Sequence, residues 1–418
     1  MVLLFLCLIF GTGRTQKIEA AVQNVPESLE EESRLDTVGT DQETERAAVR
    51  EKKGQQEKEA GDTETDQAAA AQDELLAELD FDAIQQEVDS LLSSQQFSFA
   101  GTVRSLLQDG DPFRTFRAGN AVLSCAKTAF LAQKGLMKEL FLLVLAGAVL
   151  GSFSSLFEGK QVRDASFYMV YLLALALILK NFQSSGENLK AVITSLVAFM
   201  RILTPSYYLA AAAAGGASSA VMFYQMLLLV ILAVEKLLLA LVLPMIHIYL
   251  LIALVNDLSG EEILSHMTEL LETCVNGLLK SSLGVLVGMQ MIRNLIAPAL
   301  DSLRQMALWR TAGMIPGIGN AVNAVTELVA GSAVLIRNCF GVTAMLVLLA
   351  AGMVPAVQLL VSGLSFRLLA AAAQPVSDKR IAGCLAAAGK GYAMLLRLLL
   401  TVEVLFLLTI AILAGTFS

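Results

Sequence analysis

Residues 338–366, NCFGVTAMLVLLAAGMVPAVQLLVSGLSF, run for 29 positions without an Asp, Glu, Lys or Arg. An α-helix rises about 1.5 Å per residue, so about 20 residues cross the hydrocarbon core of a bilayer. This stretch is long enough to cross it once with residues to spare. It therefore predicts a transmembrane helix and decides the class of the fold.

The composition of the whole chain agrees with that class. Hydrophobic residues make up 56% of the 418 residues, charged residues make up 16%, and the mean hydropathy is +0.64. Soluble domains carry more charge than this, about 25%. The charge is also uneven, because residues 14–135 hold 13 Lys and Arg against 24 Asp and Glu. We predict an integral membrane protein with an acidic N-terminal region.

Hydropathy divides the chain into four predicted segments. Residues 1–22 form a signal-like apolar segment whose apolar run is too short to span a bilayer. Residues 23–72 are rich in Glu, Gln, Thr and Ala and bury too little apolar surface to offset chain entropy, which predicts a disordered acidic linker. Residues 73–138 contain amphipathic helices before the first span, and residues 139–418 form the polytopic membrane domain.

Two amphipathic stretches precede the first span. In LDFDAIQQEVDSLL, residues 79–92, apolar residues recur at helical spacing and Asp80 or Asp82 is available to cap the start. The second stretch, residues 113–139, carries Arg114, Arg117, Lys127, Lys134 and Lys138. Two interpretations fit it, a helix along the lipid headgroups and a solvated helix packed on its neighbours.

Uncharged runs predict an all-α, polytopic membrane protein with six to eight spans or re-entrant helices. The six strong runs lie near residues 140–157, 165–181, 191–214, 217–255, 339–363 and 397–417, and residues 281–298 and 313–336 are further candidates. Proline and glycine predict where helices break. The candidate breaks are Pro205, Gly215, Gly216, Pro316, Gly317 and Gly319.

Charges between the runs predict loops. Because buried charges are rare in spans, we expect Glu235 and Lys236 to form a short loop at the membrane surface. The signal-like start places residues 14–135 outside the cytoplasm, although the basic cluster before the first span favours the opposite orientation. With the first orientation, the basic residues 379–397 form a cytoplasmic loop, and residues 256–274 form the most acidic internal loop.

Familiar catalytic and metal-binding patterns are scarce. His247 and His266 have no metal-binding partner at a useful spacing, and His247 is better explained by helix packing or an interfacial position. GCLAAAGKGY, residues 383–392, departs from a phosphate-binding loop in spacing and in its last position. The five cysteines are scattered and odd in number. We predict no enzyme, no cofactor, no metal site and no nucleic-acid partner.

Polar residues within one apolar segment are the best candidates for function. On a helix, Asn320, Asn323 and Glu327 share one face, which continues through Gly331 and Val334 to Asn338. A charge at the bilayer centre costs at least about 2.5 kcal/mol on insertion scales, so this face is expected to meet other helices, a partner subunit or a water-filled path. The alternatives are a helix lying flat at the interface and a re-entrant segment that begins near Pro316.

Four blocks in fixed order resemble the stage III sporulation protein AE family of endospore-forming bacteria. They are LDFDAIQQEVDSLL, LPMIHIYLLIALVN, MIPGIGNAVNAVTELVAGSAVLIRN and LSFRLLAAAAQPVSDKRI, and the resemblance covers residues 79–418. None of the blocks is a catalytic signature. Their order and spacing carry the resemblance.

The resemblance implies a multi-pass protein in the mother-cell membrane that surrounds the forespore. Its partners would be other stage III sporulation A proteins and, across the intermembrane space, the forespore stage II sporulation protein Q or its equivalent. Such a complex is thought to act as a channel or secretion-like apparatus, and a homo-oligomer is compatible with it. The family implies no catalytic residues.

Two other functions stay open beside the channel subunit. One is an independent solute permease, whose candidate residues are Glu235, Lys236, Glu327 and Glu403. The other is a scaffold that holds other subunits without conducting, in which case the polar residues are contacts between helices.

Overall fold

The computed structural model describes residues 80–92, 97–109, 118–154, 160–213, 229, 231–259, 264–312, 319–375 and 377–415. Helices make up almost all of these ranges, and no strand occurs within them. The all-α class is therefore confirmed. The predicted signal-like segment and acidic linker lie outside the described residues.

Short helices come first and long ones follow. In chain order they are α1 (Phe81–Leu91), α2 (Phe99–Asp109), α3 (Ala118–Ser154), α4 (Lys160–Ala213), α5 (Ile231–Ser259), α6 (Ser265–Ala312), α7 (Gly319–Ala373) and α8 (Lys379–Gly415). A π-helical turn at Leu238–Val242 lies inside α5.

Five helices in the described part of the chain are long and apolar enough to cross a membrane. The candidate spans are Tyr168–Tyr207, Ile231–Ser259, Ser265–Met289, Gly331–Ala373 and Lys379–Ala411. The chain is thus a multi-pass membrane protein. The predicted span 165–181 and residues 191–213 of the next predicted span lie in α4, which is one continuous helix of 54 residues.

Pro205 does not end a helix, contrary to the expected break. It lies inside α4, which continues to Ala213. Proline removes one backbone hydrogen bond, but tertiary packing compensates for such a loss. Here Leu203, Ser206 and Tyr207 are buried on either side of it.

Of the other candidate breaks, Gly319 is the first residue of α7, whereas Gly215, Gly216, Pro316 and Gly317 lie outside the described residues.

The predicted loop at Glu235 and Lys236 is wrong, because both residues lie inside α5. Glu235 is half-buried and lines a small cavity with Leu286 and Phe406, whereas Lys236 is exposed. Adjacent residues on a helix point in different directions. A charged pair therefore fits a helix when one member faces a neighbouring helix and the other faces outward.

The two predicted charged loops are also largely helical. Residues 379–397 form the first half of α8, and residues 265–274 begin α6. Their charges connect these two helices: Lys390 Nζ lies 3.3 Å from Glu272 Oε2, and Arg397 Nη1 donates to Asn276 Oδ1 at 3.0 Å. Hydropathy alone does not distinguish charged residues that join two helices from charged residues in a loop.

The predicted amphipathic helix at residues 79–92 is α1, and it docks on the polytopic part of the chain. Asp80 Oδ1 accepts from the Ala83 backbone N–H at its start, as expected for an N-cap. Ile84 and Val88 are both 0% exposed. Gln85 of α1 holds the start of α2, because its side chain donates to Phe97 O and accepts from Phe99 N.

Aromatic rings fix the α1–α2 pair to α7. The Phe81 and Phe99 ring centroids lie 6.1 Å and 5.0 Å from that of Phe340.

The second amphipathic stretch, residues 113–139, does not form a separate short helix in its described part. From Ala118 onward it is continuous with the first predicted span in α3, and Lys127, Lys134 and Lys138 are exposed.

Replacing Ile84 by aspartate is expected to detach α1 from the bundle. Burial of each such side chain is worth about 1.5–3 kcal/mol, and an unpaired buried carboxylate adds a further penalty. We expect trypsin or chymotrypsin to cut the α1–α2 region of the Ile84→Asp protein at least tenfold faster. Asp82→Ala changes an exposed residue of the same helix and serves as the control. Equal cleavage rates would contradict the docking.

Candidate functional site

The polar face predicted from the sequence lies at the start of α7. Asn320, Asn323 and Glu327 are helical residues of α7, but their side chains lie outside the described part of the structure. The continuation of the same face is described. Gly331 and Asn338 are exposed, and a Cβ at Gly331 would meet nothing within 4 Å in this chain. In its described part, this face of α7 therefore points out of the single chain.

Arg337 lies about 100° around α7 from Asn338, and it is 0% exposed. It is among the largest fully buried side chains of the described residues, and Tyr207 on α4 lies within electrostatic range of it. The Tyr207 ring centroid is 6.2 Å from that of Phe340. Arg337 thus belongs to the interior between α4 and α7, beside the docking site of α1 and α2, and not to the polar face.

Glu403 of α8 lies directly against Gly352 of α7. The residue is 8% exposed, and a Cβ at position 352 would overlap the Glu403 carboxylate. The two helices form an antiparallel hairpin whose turn is closed by Asp378, which accepts from the Arg380 backbone N–H. Only a glycine at position 352 leaves the carboxylate this space.

Further along the hairpin, glycines bring α7 and α8 close together. A Cβ at Gly363 would lie 3.2 Å from the Tyr392 Cβ, and one at Gly389 would lie 3.3 Å from the Gly363 carbonyl oxygen. Small residues of this kind let helices in a membrane approach closely. The α7–α8 contact is consequently held by glycine positions spread over much of its length.

Tyr392 forms a hydrogen-bond network with α4. Asn181 Nδ2 donates to the Tyr392 hydroxyl at 2.7 Å, and Ser185 Oγ lies 3.3 Å from the same oxygen. Phe366 stacks on the Tyr392 ring, and Phe182 meets it edge-on, with centroid separations of 5.2 Å in both cases. The buried hydroxyl is thereby satisfied, as buried polar groups in membranes must be.

His247 is a packing residue. Helix packing was one of the two explanations that the sequence allowed, beside an interfacial position. Its Nδ1 lies 2.8 Å from Leu243 O, and its ring lies 5.3 Å from Phe182 in an edge-to-face arrangement. A Cβ at Gly186 would lie 2.5 Å from its Nε2, so α4 accommodates the imidazole only because this position is glycine. His266 is exposed at the start of α6.

An open cleft of about 460 Å³ lies between α4, α7 and the end of α1. Its polar lining residues are Ser185, Asn188, Gln358 and Ser362, and Leu91 and Leu92 contribute apolar surface. Ser185 belongs both to the cleft and to the Tyr392 network. The cleft could therefore bind an uncharged, hydrogen-bonding group.

The described polar residues are arranged for packing and hydrogen bonding. No group of three metal-ligating side chains occurs among the residues that the structure describes. Sequence reasoning named Glu403 but missed Gly352, Tyr392 and the buried position of Arg337. The buried position of Arg337 could have been predicted from its neighbours. Ala333, Phe340 and Ala344 recur around it at helical spacing, and this pattern indicates a face that packs in the core.

Comparison with known proteins identifies the relatives of the chain. The model of the family "Stage III sporulation protein AE" matches residues 97–416. The chain is 22% identical over 291 residues to stage III sporulation protein AE of Bacillus subtilis (strain 168), an alignment that covers 69% of this chain and 73% of that protein. No solved structure matches the chain. Because the family model covers well over half of the sequence, the chain belongs to the stage III sporulation protein AE family.

Proposed function

We propose that the chain is a non-catalytic membrane subunit of a transenvelope channel or secretion-like complex that links mother cell and forespore during endospore formation. The family supports a role in sporulation and an association with other stage III sporulation proteins. In this proposal the chain resides in the mother-cell membrane around the forespore. It reaches the forespore stage II sporulation protein Q, or its equivalent, through its partner subunits.

The outward face at the start of the α7 span carries the proposal. Asn338 is exposed although it lies within the candidate span Gly331–Ala373. An asparagine side chain toward lipid leaves its amide without partners, whereas a hydrogen bond across helices in a membrane is worth about 1–2 kcal/mol. A partner subunit or a water-filled path would satisfy it. The same face includes Asn320, Asn323 and Glu327, which makes it the candidate subunit contact or path.

A second function, an independent permease, is favoured by the cleft between α4 and α7. Its neutral amides and hydroxyls suit a small polar solute, and its size lies in the range of small-molecule sites. A permease works without the partner subunits. Reconstitution of the purified chain alone in vesicles therefore separates this function from the first.

Photo-crosslinking in sporulating cells tests the proposed subunit contact. A photoreactive amino acid at position 338 is expected to form adducts with another stage III sporulation protein. The same amino acid at Leu172 of α4, which is 54% exposed, serves as the control. Equal, unspecific labelling at both positions would contradict a subunit contact at α7.

A cysteine scan across residues 313–338 distinguishes a path from a non-conducting scaffold. It is carried out in a chain whose five native cysteines are replaced, and it is scored for sporulation and for labelling by a membrane-impermeant thiol reagent. A path predicts that both readouts vary with a period near 3.6 residues, centred on Asn323 and Glu327. A scaffold predicts the functional period without labelling, and a flat functional profile removes this face from the proposal.

A further inference from the structure

Glu403 is a carboxylate in an unusual place for a charged side chain. It lies in the candidate span Lys379–Ala411, and more than nine-tenths of its surface is buried. Its Oε1 atom has no hydrogen-bond partner within the described ranges. Its neighbours on α8, Val402, Leu405 and Phe406, are buried apolar residues.

The facing turn of α7 is shaped around this carboxylate. Gly352 leaves it room, since any larger residue would overlap it. Three residues later, Pro355 lies inside α7. Proline has no backbone N–H, so the Ala351 carbonyl loses its helical donor. The turn that faces the carboxylate therefore contains a carbonyl without its regular helical donor.

Charged groups on the surrounding helices are poorly placed to neutralise Glu403. On α7, Arg337 and Arg367 are each 15 residues from Gly352, about 22 Å along the helix axis. On α5, Glu235 lines a small cavity on the side of α8 that carries Val402 and Phe406, and it has the same sign of charge. On α8 itself, Arg397 donates to Asn276 of α6.

An isolated ionised carboxylate in apolar surroundings is costly, and a proton is the smallest ligand that removes the cost. We propose that Glu403 is a proton-binding site inside the membrane: it holds a proton in the packing described here. When water reaches the carboxyl group, the proton passes to a water molecule, and the carboxylate that remains is hydrated. This inference does not depend on the identity of the complex.

Infrared spectroscopy of the full chain in lipid nanodiscs tests the protonation directly. At neutral pH, the wild-type protein is expected to show the carbonyl band of a buried, protonated carboxylic acid, and Glu403→Gln is expected to lose it. Glu269→Gln changes an exposed carboxylate on α6 and is expected to leave the band in place. Identical spectra for wild type and Glu403→Gln overturn the proposal.

Sporulation tests whether release of the proton is used. Glu403→Gln keeps the shape and the neutral charge, so it is expected to accumulate in the membrane yet lower sporulation at least tenfold. Glu403→Asp retains an acid and is expected to keep more activity. If Glu403→Gln does not accumulate, a shifted carbonyl band in Glu403→Asp supports the protonated site and an unshifted band refutes it. Wild-type sporulation by an accumulating Glu403→Gln protein refutes the release step.

Discussion

Replacing Gly352 by valine is expected to be among the most damaging single changes in the membrane domain. A side chain at this position would overlap the Glu403 carboxylate, which lies in a packed and buried contact. Overpacking of a well-packed core typically costs about 1–3 kcal/mol, and occasionally more. The overlapping atoms are the end of the glutamate side chain, so either the carboxylate leaves its place in the packed contact or the two helices move apart. We expect a lower unfolding temperature of the purified protein and little accumulation in cells.

Two further variants make this prediction specific to the contact. Gly331→Val introduces the same side chain on the same helix, where a Cβ would meet nothing within 4 Å, and is expected to leave the stability of the purified chain nearly unchanged. Glu403→Ala removes the overlapping group, so the double variant Gly352→Val, Glu403→Ala is expected to recover part of the lost stability. Such a gain is the non-additivity that contacting residues show. Strictly additive losses would mean that the two residues do not meet.

Hydropathy predicted membrane helices well and helix boundaries poorly, and α4 shows why. Its central residues, KNFQSSGENLK at 180–190, are polar enough to interrupt a run of apolar residues. The helix nevertheless continues, because Phe182, Leu189 and Ile193 are buried on one side while Lys180 and Glu187 are exposed on the other. An average over a window cannot distinguish such an amphipathic turn from a loop, whereas periodicity within it can.

The candidate site was predictable only in part, for a related reason. Glu403 stands out in the sequence as a charge within an apolar run. Gly352, which makes room for it, is 51 positions away and resembles any other glycine of a membrane helix. Likewise, the residues that receive Tyr392 lie on α4, more than 200 positions earlier. Contacts between distant helices depend on the packing of the whole bundle, which local patterns do not encode.

Arg337→Ala is expected to have the second large effect. Arg337 is completely buried between α4 and α7, so its removal leaves a cavity. Truncation of a large buried side chain costs about 2–5 kcal/mol, depending on how far the site can collapse. Phe340, one turn further along, holds Phe99 of α2 at a ring separation of 5.0 Å. The loss is therefore expected to reach the α1–α2 region, which should become more sensitive to proteases while the unfolding temperature falls.

Two comparisons separate the volume of Arg337 from its charge. Arg367→Ala, at an exposed position of the same helix, is expected to change stability by no more than about 0.5 kcal/mol. Arg337→Met keeps most of the volume without the charge, so it leaves a smaller cavity than alanine does. We therefore expect the methionine variant to keep more of the wild-type stability than Arg337→Ala. If it also sporulates normally, Arg337 serves packing alone. A stable methionine variant with defective sporulation would assign a role to the charge itself, and equal losses of stability in Arg337→Ala and Arg367→Ala would contradict the buried position.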